Sequence, residues 1–201
     1  MMTEFNHYYT NHIAEKIELD TLTIIDYYDP KKGYEYNLRF IFDKKNSSLA
    51  ITGDFGELTA RNFHNMGDWI KFYSHYTGNL EYFLEKVTSS SRPVHFYDEE
   101  KAKDLILRNF FEVDKEDDLI DDDWWIFNNL FKEFDYNKGF NHIPSEFIER
   151  FEADFEEHEI YKFLNTAGQY VNGVFRLYLD AYSRAYTYLT KGDGNGTTQN
   201  V

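Results

Sequence analysis

The 201-residue chain contains no cysteine. That excludes a disulfide framework and any thiolate metal site, and it fits a reducing cytoplasm. No window approaches eighteen consecutive apolar residues, so no segment is expected to span a membrane. The opening "MMTEFNHYYTNHIAEKIELD" has no basic start and no apolar run, which argues against a secretory leader. The common catalytic spacings are missing as well. The seven histidines (His7, His12, His64, His75, His95, His142 and His158) form no HExxH pair. There is no nucleophile elbow, phosphate loop or dinucleotide fingerprint.

Basic residues are also in short supply. The chain has 21 Lys and Arg against 36 Asp and Glu, a formal net charge of −15. Such a chain repels DNA, RNA and anionic lipid at long range and attracts basic surfaces. Neither direct nucleic-acid binding nor membrane association is therefore expected.

Aromatic residues, in contrast, are abundant: 19 Phe and 17 Tyr. An acidic chain that stays disordered carries few aromatics, so this one folds. Its length suits one domain, or one domain with a helical lobe. So many rings also leave room for a self-association surface.

The acidity is local. From Glu112 to Glu159 seventeen Asp and Glu face four bases, Lys115, Lys132, Lys138 and Arg150. The remaining residues are close to balanced. The most concentrated stretch is "EVDKEDDLIDDDWW", residues 112–125, where two tryptophans follow the carboxylates at once.

Residue patterns predict an α+β fold. Phe5, Tyr8, Tyr9, Ile13 and Ile17 lie near helical spacing, which predicts a short helix over 3–16 capped by Thr3. Four antiparallel strands follow, at 19–28, 34–42, 49–52 and 57–63. Tyr34, Tyr36, Leu38, Phe40 and Phe42 share one face of the second strand, and "DPKKG" and "GDFG" form turns. Asp68, Asn79 and Asp98 are each placed to cap a helix. Residues 89–93 break the pattern, and 94–97 read as a short strand. Helices are expected at 121–134, 145–164 and about 166–190. The expected division is an α+β sheet domain at 1–111, an acidic helical lobe at 112–190 packed on it, and a flexible tail at 191–201.

Each apparent motif has a plain structural explanation. Asp54-Phe55-Gly56 lacks every other part of a kinase, and a hairpin turn on Gly53 and Gly56 accounts for it. Asp114, Glu116 and Asp118 alternate like the start of a calcium loop. Leu119 stands where that loop needs its sharp-turn glycine, and the closing Glu is missing. With so many acids, close carboxylate pairs arise without signalling acid–base chemistry. No catalytic residue, cofactor or metal site is therefore assigned, and the chain is not expected to be an enzyme.

The acidic region itself remains as a surface. It serves solubility alone, or it meets a basic partner. Duplex DNA carries one charge per roughly 1.7 Å of axis. Helix positions three or four apart place carboxylates about 5–6 Å from each other. A carboxylate-rich helix can therefore offer a basic groove something like a phosphate track. Asp117, Asp118, Asp121, Asp122 and Asp123 are the residues expected to supply that charge. Trp124 and Trp125 point about 100° apart on a helix, so one can pack inward while the other anchors a partner. Glu149, Glu152, Glu156 and Glu157 form a second, weaker acidic face.

The stretches "LAITGDFGELTARNF", "NLEYFLEKV", "YDEEKAKDLI" and "VNGVFRLYLDAYSRAYTYL" resemble small proteins encoded by phages and prophages of low-GC Gram-positive bacteria. The acidic character is similar to that of phage anti-CRISPR proteins, several of which occupy nucleic-acid clefts of Cas nucleases. The resemblance transfers no catalytic residue. It implies a non-enzymatic inhibitor in the host cytoplasm that binds the basic surface of a Cas9-type nuclease. The alternative is a phage or mobile-element assembly or regulatory protein acting through protein–protein contacts.

Overall fold

The computed structural model describes residues 5–33, 35–191 and 199–200, and the chain is α+β. It divides into two compact units. The first combines Met1–Val94 with Gly173–Val201, and the second is His95–Asn172.

The first unit is an antiparallel meander of six strands: β1 (Ile13–Glu18), β2 (Leu22–Tyr28), β3 (Leu38–Asp43), β4 (Ser48–Gly53), β5 (Leu58–Arg61) and β6 (Val87–Ser90). The period-two pattern explains it. Side chains alternate across a strand, so Ile25, Phe40, Ile51 and Leu58 fall in register on one face, and all four are buried. Between β5 and β6 the chain makes α1 (Trp69–Tyr76) and α2 (Leu80–Leu84). Asp68 caps the first by accepting from the amides of Ile70 and Lys71, and Asn79 caps the second through Tyr82 N–H.

The second unit begins with β7 (His95–Tyr97) and α3 (Glu99–Ile106), capped by Asp98 through Lys101 N–H. A π-helical turn, Leu107–Phe111, and a 3₁₀ turn, Glu116–Asp118, lead to α4 (Asp121–Phe131). A short hairpin of two-residue strands, β8 (Phe134–Asp135) and β9 (Gly139–Phe140), precedes α5 (Ser145–Phe151) and α6 (Glu157–Leu164). β10 (Gln169–Val171) then pairs antiparallel with β7. Gly168 makes that return tight, with φ of +72°. A Cβ there would lie 2.3 Å from the Asp98 carbonyl oxygen. Phe110 centres the core, with the rings of Phe147, Phe151, Phe155 and Phe163 all 5.1–5.2 Å away.

The chain re-enters the first unit as α7 (Gly173–Lys191) and β11 (Gln199–Asn200), which runs parallel to β1. Phe175, Tyr178, Tyr182 and Ala185, spaced three or four apart, form its buried stripe. Tyr182 meets Phe40 at 5.1 Å, Phe42 at 5.5 Å and Phe72 at 4.8 Å, and donates to the Trp69 carbonyl at 2.5 Å.

Several expectations are corrected. Residues 5–10 form turns rather than a helix, and Ile13 and Ile17 belong to β1. Spacing that looked helical is overridden by the ladder to β2, where Ile13 faces Tyr28 and Ile17 faces Ile24. Thr3 and Tyr34 lie outside the described residues. Tyr36 is not in the strand, since its φ of +61° ends the loop before β3. Val87–Ser90 form an edge strand, which takes in the first two of the residues 89–93 expected to break the pattern. The single helix expected over 145–164 is two, because the chain turns at 152–156 and Glu156 opens a new capping box with Glu159. The boundary expected at 111/112 falls inside the second unit, and α7 belongs with the sheet. Of the expected tail, 192–198 and 201 lie outside the described residues. Among the described residues no helix is long and apolar enough to cross a membrane.

Candidate acidic-aromatic interaction surface

The second unit holds 21 Asp and Glu against eight Lys and Arg, a net −13 of the chain's −15. Its carboxylates concentrate where α4 begins. Ile120 stands at the cap position without a side-chain hydrogen bond, and Asp121, Asp122 and Asp123 fill the first turn. Exposed amides and the positive end of the helix dipole favour negative charge there.

One side of α4 is buried through Phe127 and Leu130, and Asp123, four residues before Phe127 on the same side, is mostly covered. Trp124 and Trp125 lie one and two steps of about 100° beyond Asp123. Both therefore face outward: Trp124 is 51% exposed and Trp125 49%, and Ile120 before them is 68% exposed. The expectation that one ring packs inward is thus corrected. The core of α4 is already filled by Phe127 and Leu130, which leaves no inward place for either indole.

A shallow groove of about 550 Å³ runs beside Trp125. Ile120, Trp125 and Ile126 give it apolar lining, and Asp122, Asp123, Glu146 and Glu149 give it carboxylates. Arg150 is the one base in its lining. The Arg150 guanidinium donates to both oxygens of Asp123, Nε to Oδ1 at 2.9 Å and Nη2 to Oδ2 at 3.4 Å. It also lies 5.0 Å from the Phe151 ring. The Asp123 carboxylate, beside and hydrogen-bonded to that side chain, holds the Arg150 pKa above its ordinary value.

Of the carboxylates singled out from the sequence, the groove gathers Asp122, Asp123 and Glu149. Asp121 and Trp124 lie exposed on α4 outside its lining. Asp117 and Asp118 are exposed in the 3₁₀ turn, Glu152 ends α5, and Glu156 and Glu157 open α6. Ile120, Ile126, Glu146 and Arg150 were missed. A trace existed: Glu146, Glu149 and Arg150 stand three and four apart, as neighbours on one helix face do.

Internal neutralisation is partial. Lys103 pairs with Glu99, Glu100 and Glu116, Arg108 with Asp114, and Arg150 with Asp123. Glu156 is within 3.1 Å of His158 Nδ1. Among the described residues no Lys, Arg or His pairs with Asp117, Asp118, Asp121, Asp122, Glu146, Glu149, Glu152 or Glu157. No group of three or more His, Asp or Glu among the described residues is arranged to hold a metal ion. The Asp54-Phe55-Gly56 segment is a turn: Gly53 has φ of +148°, Gly56 +113°, and Gly56 N–H donates to the Gly53 carbonyl at 3.1 Å.

No family model, no curated protein and no solved structure matches the chain.

Proposed function

We propose that the chain is a non-enzymatic, phage-type inhibitor that binds a basic, nucleic-acid-binding surface of a defence nuclease, of which a Cas9-type effector is the leading candidate. The observation that carries this reading is the exposure of Ile120, Trp124 and Trp125 among carboxylates that lack internal counter-ions. A solubilising surface needs charge alone. Exposing two indoles on one turn forgoes burial of large apolar area, and large aromatics ringed by polar residues are what protein-binding hot spots use. The surrounding charge speeds encounter with a positive partner and makes it salt-sensitive.

The experiment is a capture of Cas9-type effector by the tagged chain, at two salt levels, with and without competing DNA. Capture lost at high salt, displaced by DNA, and abolished by Asp121→Lys/Asp122→Lys supports the reading. Capture unchanged by that double reversal overturns it.

One observation favours a second reading, an assembly or regulatory protein of a phage or mobile element. Exposed Tyr136 and Tyr170 cluster with a half-buried Phe96, with Phe96 and Tyr136 stacked at 5.0 Å and the two tyrosine hydroxyls 2.6 Å apart. A partner held there would resist both salt and DNA, and Tyr136→Ala would release it.

A further inference from the structure

We infer that the groove beside Trp125 is an arginine receptacle, one that takes a guanidinium in preference to an ammonium. The inference rests on the reading that this surface meets a basic partner, and it names the side chain recognised.

The chain's own Arg150 shows how this groove holds a guanidinium. Asp123 receives it edge-on with two hydrogen bonds, and the Phe151 ring lies beside it at 5.0 Å. A carboxylate fork and an aromatic face are the two contacts a planar cation uses. The same two elements recur unfilled a few residues away. Trp125 presents its indole with half its surface exposed, and Asp122, Glu146 and Glu149 share the lining with no ion-pair partner among the described residues. Ile120 and Ile126 supply apolar surface for the methylene stem of an incoming side chain.

Charge alone does not choose between arginine and lysine, but the indole does. A guanidinium is weakly hydrated and flat, so it stacks on Trp125 while its edge donates to carboxylates. An ammonium keeps its water and meets the same carboxylates as a point charge. A bare metal ion is a poor occupant, because no three carboxylates among the described residues converge.

The test uses the full chain and two blocked peptides of equal length and charge, (Gly-Arg)₄ and (Gly-Lys)₄. Binding is measured by calorimetry at about 150 mM salt, with thermal melts run on every variant. The arginine peptide is expected to bind on the order of tenfold more tightly. Trp125→Ala should reduce it to the lysine peptide's affinity, and Trp125→Phe should lie between. If the alanine variant melts early, Glu149→Gln serves instead and should weaken the arginine peptide more than the lysine one. An arginine peptide carrying asymmetric dimethyl groups keeps its charge but loses donors, and should bind more weakly. Equal binding of both peptides, each lost with Asp122→Lys, overturns the receptacle and leaves the basic-partner reading standing. An arginine preference that survives both Trp125→Ala and Glu149→Gln also overturns the receptacle. Absence of binding by either peptide overturns both.

Discussion

Arg150 of α5 clasps Asp123 of α4 with two hydrogen bonds, so one carboxylate of the Asp121–Asp123 run serves the fold and not the surface. Asp123 is mostly buried, while Asp121 and Asp122 are exposed. Reversing all three charges would therefore mix a structural lesion with a binding one. Asp123→Asn should lower stability by up to about 1 kcal/mol, a figure held down because Arg150 is 44% exposed and screened by solvent. Asp122→Asn should stay within about 0.5 kcal/mol of the parent. Urea unfolding of the two variants checks the contrast, and equal losses would remove the distinction.

The tryptophans give a second test. Trp124 and Trp125 are half-exposed, whereas Phe127 on the next turn is buried beside Phe131 at 4.8 Å. Replacing either tryptophan by alanine should cost under about 1 kcal/mol, and Phe127→Ala about 3–5 kcal/mol. Denaturant midpoints measure this. A large loss at Trp125 would mean that its ring supports the unit, and its role as a binding anchor would lose its physical basis.

Where structure follows from local chemistry, the sequence could be read. The caps at Asp68, Asn79 and Asp98 are short side chains reaching amides two or three residues on, so spacing alone exposes them. The meander follows from alternation, since one slipped residue would turn Phe40 and Ile51 outward. What escaped depends on distant partners. Ile13 and Ile17 fit a helix as well as a strand until β2 pairs with them. The groove was half-legible: the Asp and Trp run was plain, but Arg150 reaches Asp123 across 27 positions. α7 follows the acidic region in sequence, yet its stripe matches rings on β3 and α1. The exposure of both indoles depended on how completely Phe127 and Leu130 fill the space beneath α4.

The turn at 53–56 can be separated from any catalytic role. A Cβ on Gly53 would lie 2.1 Å from the Asn37 carbonyl oxygen, with φ at +148°. Both the clash and the backbone conformation oppose a side chain, so Gly53→Ala should cost about 1–3 kcal/mol. Gly78, where a Cβ would meet nothing within 4 Å, serves as the control, and Gly78→Ala should be neutral or slightly stabilising. Thermal melts of the two variants decide it. Equal behaviour would mean that the turn does not need its glycine.

Acid should weaken the first unit before its carboxylates begin to titrate, and His12 is the cause. Its ring is buried, Nε2 lies 3.1 Å from the Tyr36 carbonyl oxygen, and Nδ1 has no hydrogen-bond partner among the described residues. The carbonyl can only accept, so Nε2 carries a proton, and charging the ring would bury a second N–H on Nδ1 with nothing among the described residues to receive it. Burial pushes its pKa below the usual 6.5, although the Tyr36 hydrogen bond and nearby Asp29 oppose that shift. The unfolded chain then binds more protons than the folded one at pH values just under 6.5. Stability is therefore complete above about 6.5 and falls as the pH drops toward the lowered folded value. Glu18 and Asp43, whose pKa values are also depressed, stabilise the fold at neutral pH and lose that contribution only as the pH falls through and below the ordinary carboxylate range. Between pH 6.5 and 5 the slope should thus belong to His12, and His12→Gln should flatten it. Unfolding free energies measured by urea at several pH values test this. A slope unchanged by the substitution would assign the acid sensitivity elsewhere.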